Sequence, residues 1–173
     1  LTYDRAVWKV DAAVVRRACR GEGLAANVVD LVPCTMTRQT PWRYTLAKPA
    51  EGWPAPAFAD AAWKEGTSGF GTPTGSAKLG TEWRTADIWL RKEFTLAAKP
   101  AAPLLRVLHD EDFEVYLNGV PACRDTGFST AYDDYDVDAK AAAALQPGRN
   151  VIAVHCRQTV GGQFIDVGLV DRK

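Results

Sequence analysis

A short run near the middle of the chain alternates apolar and polar side chains and then ends in a turn. It reads HDEDFEVYLNG, from His109 to Gly119. Successive side chains of a strand point to opposite faces, so Phe113, Val115 and Leu117 would share one buried face. Asn118-Gly119 then favours a tight turn with positive φ. The run therefore predicts a strand that enters a hairpin, with the returning strand at Pro121 to Arg124.

Other short runs of β character follow the same plan, each bounded by glycine or proline. We expect strands at Trp42 to Leu46, Ile88 to Leu96, Asn150 to Cys156 and Phe164 to Val170. Ala139 to Leu145 is rich in alanine and prone to form a helix. Short strands with barely any helix between them predict a mostly β fold, a sandwich of two antiparallel sheets.

The N-terminal part of the chain has a different pattern. Tyr3 to Arg20 has a helical stripe of apolar residues and ends at Gly21 and Gly23, which predicts an amphipathic helix docked on the following domain. Leu24 to Leu31 is expected to add a short second helical segment. We therefore divide the chain into a helical lead-in or linker, residues 1–41, and a β-sandwich, residues 42–173.

Charge and cysteine usage exclude several classes of protein. The 21 basic and 21 acidic residues balance, which argues against a nucleic-acid-binding surface, and no apolar run approaches the length of a membrane span. The cysteines are too far apart for a zinc ribbon or a CxxC site. Buried free thiols at Cys123 and Cys156 are the favoured interpretation, and a Cys19–Cys34 disulfide stays open. The chain begins at Leu1, so we expect it to be a piece of a longer polypeptide.

Three adjacent carboxylates, Asp110, Glu111 and Asp112, are the first candidates for chemistry. Two carboxylates on either side of a glycosidic bond are the usual apparatus for its hydrolysis, and Asp110 and Asp112 would share a side of one strand. The favoured interpretation is a solvated strand start or a structural cation site, because no second carboxylate has an evident partner spacing. His109 and His155 lie in strand-like runs without a nucleophile motif and are interpreted as structural.

Several strand motifs resemble a known family. VYLNG at Val115 to Gly119, YDVD at Tyr135 to Asp138 and LQPGRNVIAV at Leu145 to Val154 resemble the jelly-roll sugar-binding domain of family 2 glycoside hydrolases and the wider galactose-binding-like superfamily. The strings from Trp53 to Gly71 and from Asp87 to Phe94 are similar to the same pattern. The match spans about Trp42 to Leu169. In Gly148-Arg149-Asn150, the glycine would free the turn and the Asn side chain would satisfy loop backbone groups.

The resemblance implies a galactose-binding-like jelly roll that is usually non-catalytic and lies beside a catalytic domain of the same polypeptide. It implies carbohydrate as ligand, a secreted protein in an extracellular or periplasmic location, and no cofactor beyond a structural calcium ion. Two alternatives stay open: a purely structural domain that packs on its catalytic partner, and an independent glycosidase that relies on the acidic cluster. We expect neither nucleic acid nor membrane as a partner, and no catalytic residue in this chain.

Sugar recognition needs flat apolar rings and polar groups for the hydroxyls. Gly66 to Gly80 is rich in glycine and predicts a long surface loop, and Trp83 is expected to reach solvent beside it. We therefore predict a carbohydrate site in the loop from Gly66 to Ile88, with Trp83 as the stacking ring and Arg84 and Asp87 as hydroxyl partners. The candidate carbohydrate-binding residues also include Tyr132, Arg157 and Gln158.

Overall fold

The structure is a computed structural model that describes residues 24–73, 75 and 77–173. The described chain forms twelve short strands and one short helix. In chain order the elements are β1 (Val28–Val32), β2 (Pro41–Thr45), β3 (Lys64–Thr67), β4 (Phe70–Gly71), β5 (Thr81–Glu82), β6 (Asp87–Leu96), β7 (Pro103–Asp110), β8 (Asp112–Leu117), β9 (Val120–Asp125), β10 (Asp133–Asp136), α1 (Ala139–Ala144), β11 (Gly148–Arg157) and β12 (Phe164–Arg172). No helix in the described ranges is long and apolar enough to cross a membrane.

These strands form two six-stranded sheets, as the strand pattern and the family resemblance predicted. The first sheet has the order β10-β7-β12-β4-β5, and β1 also pairs with β12. The second sheet has the order β3-β2-β6-β11-β8-β9. Among the described strands, all pairs are antiparallel except β4 and β5. The fold is a mostly β sandwich of the expected class.

The hydrophobic core lies between the two sheets because alternate residues of the long strands point inward. In β8, Phe113, Val115 and Leu117 are at most 1% exposed, as their alternation predicted. The central strands β6, β7, β11 and β12 add further inward-facing side chains: Ile88, Leu90, Leu105, Val107, Ile152, Val154, Ile165, Val167 and Leu169. This burial supplies the main stabilising free energy of the sandwich.

Two asparagines, Asn118 and Asn150, join the turn between β8 and β9 to β11. Asn118 Oδ1 accepts a hydrogen bond from the Val151 backbone, and Asn118 Nδ2 donates to Asn150 Oδ1. The fully buried Asn150 also bonds the backbone N–H and C=O of Gln146, at 3.1 and 2.7 Å. The expected role of Asn150, satisfying loop backbone groups, is confirmed.

The acidic run from His109 to Asp112 is not part of one strand. Asp110 ends β7 in the first sheet and Asp112 begins β8 in the second, so Glu111 links the two sheets. The alternation was correct from Phe113 onward, but the expectation that Asp110 and Asp112 share a side of one strand is wrong, because a change of sheet interrupts the period.

Three further predictions concern the part of the chain before residue 81. The predicted helix from Tyr3 to Arg20 lies outside the described residues. The helical segment expected at Leu24 to Leu31 is wrong: β1 occupies Val28–Val32 and joins the first sheet upstream of the expected start of the sandwich near residue 42. The glycine-rich stretch from Gly66 is not a single loop, because β4 pairs with β12 and β5 and buries Phe70.

Two segments cover the outer faces of the sheets. Over the first sheet, a Cβ at Gly168 would lie 3.0 Å from the Cβ of Cys34, so the chain after β1 packs directly on this glycine. Over the second sheet, the fully buried Arg91 bonds Asp60 Oδ2 at 2.8 Å and the carbonyl of Ala55 at 3.2 Å. Cys156 is fully buried as predicted, whereas Cys123, also predicted to be buried, is only half-buried because it lies on β9 at the edge of the second sheet.

Candidate binding groove

A groove of about 730 Å³ lies over the end of β7, on the outer side of the first sheet. Its floor comes from the end of β7 and the start of β12, and its walls come from the segment after β1, from Gly75, Ala77 and Lys78, and from the segment before β10. Its described lining residues are Leu24, Thr35, Met36, Gly75, Ala77, Lys78, Leu108, His109, Asp110, Phe128, Ser129, Thr130, Ala131, Tyr132 and Phe164.

One aromatic ring in this groove is open to solvent. Phe128 is 58% exposed, although it is a large apolar residue in a polar segment. Its backbone is held on the end of β7 by a β-bridge with Asp110, and the next residue, Ser129, donates its N–H to the His109 carbonyl at 2.8 Å. The ring is therefore presented by a fixed backbone without being packed into the core.

A carboxyl group lies in the same groove. Asp110 is half-buried, and its pKa is raised by burial, then by the charge of Glu111 and by a hydrogen bond with Glu111, while His109 opposes the shift. Gly162 allows this placement, because a Cβ there would lie 2.8 Å from Asp110 Oδ2. Glu111 itself is buried and accepts a hydrogen bond from Thr159.

His109 supports this wall of the groove and is fully buried. Its Nδ1 lies 2.7 Å from the Glu111 carbonyl oxygen, and its Nε2 lies 3.0 Å from the Tyr135 hydroxyl. Both ring nitrogens are thus bonded to the protein. This geometry agrees with the structural role that was predicted for His109.

The opposite wall contains a buried hydrogen-bond network. Asp166 Oδ2 accepts hydrogen bonds from the Thr35 backbone N–H at 2.7 Å and from the Tyr132 hydroxyl. Thr35 Oγ1 lies 2.7 Å from the same Tyr132 hydroxyl. Burial raises the pKa of Asp166, and burial together with the charge of Asp166 raises that of Tyr132. The network ties the segment after β1 to β12.

The predicted stacking ring is in the core. Trp83 is 1% exposed, and its Nε1 donates to Thr85 Oγ1 at 2.9 Å and to the Asp87 carbonyl at 3.2 Å. The parallel pair of β4 and β5 brings the chain into the first sheet, and Trp83 donates its backbone N–H to the Gly71 carbonyl at 2.9 Å. The expectation that Trp83 reaches solvent is therefore wrong, and no sugar can stack on this ring in this conformation.

The other predicted site residues lie in three places. Tyr132 lies in the groove wall. Asp87 and Arg157 are cross-strand neighbours on β6 and β11, and Gln158 follows them, its N–H donating to the Ala86 carbonyl at 2.7 Å. Arg84 is exposed and pairs with the exposed Glu82. The structure thus brings Asp87, Arg157 and Gln158 together, and their role in binding stays a prediction.

A second, polar cleft of about 520 Å³ lies on the outer side of the second sheet, and Asp87 lies beside it. Its lining residues are Asp112, Phe113, Glu114, Arg124, Asp125, Thr126, His155 and Arg157. His155 stacks flat on Trp89, with ring centroids 4.8 Å apart, and its Nε2 lies 2.8 Å from Asp87 Oδ1. Trp89 is only 7% exposed. This cleft offers charges but no open aromatic face.

Phe128 was not among the site residues predicted from the sequence. It stands between Gly127 and Ser129 in the polar run DTGFSTAYDD, and a large apolar ring in such a run was the available signal. No group of three or more His, Cys, Asp or Glu side chains within residues 24–73, 75 and 77–173 is arranged to hold a metal ion.

Comparison with known proteins shows similarity of fold. No family model and no curated protein matches the chain in sequence. A β-glucuronidase from Bacteroides uniformis is similar over 77% of this chain and 18% of its own, with a TM-score of 0.52 and 15% identity. The β-glucuronidase of Ruminococcus gnavus is similar over 84% of this chain and 28% of its own, with a TM-score of 0.51 and 16% identity.

A family 2 glycosyl hydrolase from Bacteroides cellulosilyticus is similar over 83% of this chain and 20% of its own, with a TM-score of 0.50 and 12% identity. The chain has the fold of one part of these enzymes. The resemblance of its strand motifs to family 2 glycoside hydrolases is thus confirmed at the level of fold. The chain thus spans only 18–28% of the length of these three enzymes.

Proposed function

We propose that this chain is a non-catalytic carbohydrate-binding domain of a larger glycoside hydrolase, and that the groove over the end of β7 is its sugar site. The observation that carries the proposal is the open ring of Phe128 beside the Asp110 carboxyl group. Sugar sites combine a flat apolar ring, on which pyranose C–H groups stack, with a few polar groups that bond the hydroxyls.

In this proposal each part of the groove has a separate role. Phe128 stacks on one face of the sugar ring. Asp110 accepts hydrogen bonds from sugar hydroxyls, since an ionised carboxylate is an acceptor with two oxygens. Leu108 and Phe164 form an apolar floor that excludes water from these contacts.

The carboxylates favour binding over hydrolysis. A glycosidase places its two carboxyl groups roughly 5 to 9.5 Å apart, on either side of the scissile bond. Glu111 is buried and accepts a hydrogen bond from Thr159, and Asp112 lies in the other sheet, where it accepts the N–H of Gly127 at 2.9 Å. An independent glycosidase that uses the acidic cluster is therefore the weakest of the functions predicted from the sequence.

The larger enzyme is also part of the proposal. This fold makes up 18%, 20% and 28% of the length of the three similar structures, which supports a catalytic domain in the same polypeptide. From the family resemblance we further propose an extracellular or periplasmic location.

The test is calorimetric titration of the chain with neutral monosaccharide glycosides, comparing wild type with Phe128→Ala. A stacking ring contributes on the order of 1 kcal/mol beyond its buried area, so the substitution should weaken a millimolar interaction roughly tenfold. The melting temperature should stay nearly constant, because the ring is mostly exposed. Phe128→Trp should retain binding.

Val160→Ala is the matched control, because Val160 is 74% exposed and is not among the lining residues of the groove. It should leave affinity unchanged. Equal affinity of wild type and Phe128→Ala would refute the proposed site.

A purely structural domain is the second candidate. Cross-strand neighbours on the outer face of the second sheet alternate in charge: Asp87 faces Arg157, which faces Asp112, and Glu114 faces Arg124. Such a row would suit a complementary protein surface. In that case no glycan would bind the chain, and charge reversal at Arg157 would weaken its association with the separately produced catalytic domain.

A further inference from the structure

The polar atoms of the groove select among classes of sugar. Resting on the proposed function, we infer that the groove takes a sugar residue without a carboxylate and discriminates against uronates. The inference depends on which lining groups carry charge and on which of them have protons left to donate.

The charged groups come first. Asp110 is the only acidic residue among the described residues of the lining, and Lys78 is their only lysine or arginine. Lys78 is exposed, so solvent and salt screen its charge. Asp110 is half-buried beside the carboxyl group of Glu111, and neither residue forms an ion pair with a lysine or arginine in the described ranges. A uronate in the groove would therefore meet a like charge.

The donors of the inner lining, on Thr35, His109, Ser129 and Tyr132, are already engaged, whereas Lys78 and Thr130 carry donors at exposed positions. The Tyr132 hydroxyl donates its proton to Asp166, so the Thr35 hydroxyl donates to Tyr132, and towards a ligand Tyr132 can only accept. The ring nitrogens of His109 are bonded to Glu111 and Tyr135. Ser129 Oγ accepts the N–H of His109 at 3.1 Å and lies 3.4 Å from the His109 carbonyl.

The inner part of the groove therefore presents acceptors, and the donors of Lys78 and Thr130 lie at its exposed positions. A sugar hydroxyl can donate to Asp110 or Tyr132, whereas an ionised carboxylate has no proton to donate and needs donors in return. A basic side chain would usually recognise a carboxylate through paired N–H groups, and arginine supplies these best. No arginine belongs to the described lining of the groove.

The experiment titrates the full chain with matched pairs of methyl glycosides in the gluco, galacto and manno series. The two members of each pair differ only at C6, which carries CH₂OH in one and a carboxylate in the other. The titration is done at pH 8, well above the ordinary pKa of a carboxyl group, because the pKa of Asp110 is raised. We expect the neutral member to bind on the order of tenfold more tightly, the size of effect given by two like charges a few ångströms apart in a partly solvated site.

Asp110→Asn separates the charge from the shape of the groove. The variant should bind the uronide more tightly than the wild type does and should bring the affinities of each pair together. Glu82→Gln, which removes an exposed carboxylate outside the groove, is the control and should keep the wild-type ratio.

Equal or tighter binding of the uronide by the wild type would overturn the inference and leave the proposed function standing. Absence of binding by all the sugars, neutral and charged, would overturn the proposed function and the inference with it. An unchanged ratio in Asp110→Asn would show that Asp110 does not set the selectivity, which also overturns the inference.

Discussion

At the scale of single residues, burial decides which aromatic side chains can meet a ligand. Trp83 and Phe128 both lie near glycines in the sequence, yet one is 1% and the other 58% exposed. The strand pairing of β4 and β5 brings Trp83 into the core, whereas the bridge between Phe128 and Asp110 holds Phe128 at the rim of the groove. Composition around a residue could not distinguish these outcomes, because both depend on pairing with distant strands.

Trp83→Ala should destabilise the domain without a specific effect on sugar binding. Removing a buried tryptophan side chain leaves a cavity, and Thr85 Oγ1 and the Asp87 carbonyl lose the hydrogen bond from Trp83 Nε1. The expected cost is about 3–5 kcal/mol in the free energy of unfolding. Urea denaturation followed by circular dichroism measures this difference. Arg84→Ala, at the next and exposed position, is the matched control and should change stability by less than about 0.5 kcal/mol. A Trp83→Ala protein as stable as the control would show that Trp83 is not a core residue.

At the scale of elements, long-range polar contacts decide how segments attach to the sandwich. The Arg106–Asp134 pair is nearly buried on the first sheet, and Asp134 Oδ2 also accepts the N–H of Ala25 at 2.8 Å. Asp166 Oδ2 likewise accepts the backbone N–H of Thr35. The sequence predicted most strands, since their period and turns are local. It did not predict β1, because what makes Val28–Val32 a strand is pairing with β12 at the other end of the chain.

Asp166 makes the attachment of this segment dependent on pH. Its pKa is raised in the folded state by burial, so the folded protein holds this proton more tightly than the unfolded chain does. The resulting stabilisation is fully present below the unfolded pKa, ordinarily about 4, and is lost as pH rises through the folded pKa.

The free energy of unfolding of wild type, minus that of Asp166→Asn, should therefore fall as pH rises from about 4 towards neutrality. Urea denaturation at a series of pH values measures it. Glu65→Gln, at an exposed position, controls for the change in net charge. A difference that is constant or rises with pH would contradict the assignment.

At the scale of the whole molecule, the fold was largely predictable and the site was not. The sandwich and its hairpin follow from alternation and turn residues, and strand motifs such as VYLNG and LQPGRNVIAV led to the correct fold. The groove is assembled from six stretches that are far apart in sequence, around residues 24, 35, 77, 109, 129 and 164. Of the six residues predicted for carbohydrate binding, only Tyr132 lies in it, because the other five lie at or near the ends of β5, β6 and β11.

The central claim is that sugar binds in the groove over β7, and mapping of backbone amide shifts by NMR during titration with a bound neutral glycoside tests it most directly. We predict that the amide chemical shifts that change on binding belong to residues Leu108 to Asp110 and Phe128 to Tyr132. The amide shifts of Asp87, Glu114 and Arg157, which lie at or beside the polar cleft, should not change. Shifts confined to the polar cleft, or none during saturating titration, would contradict it.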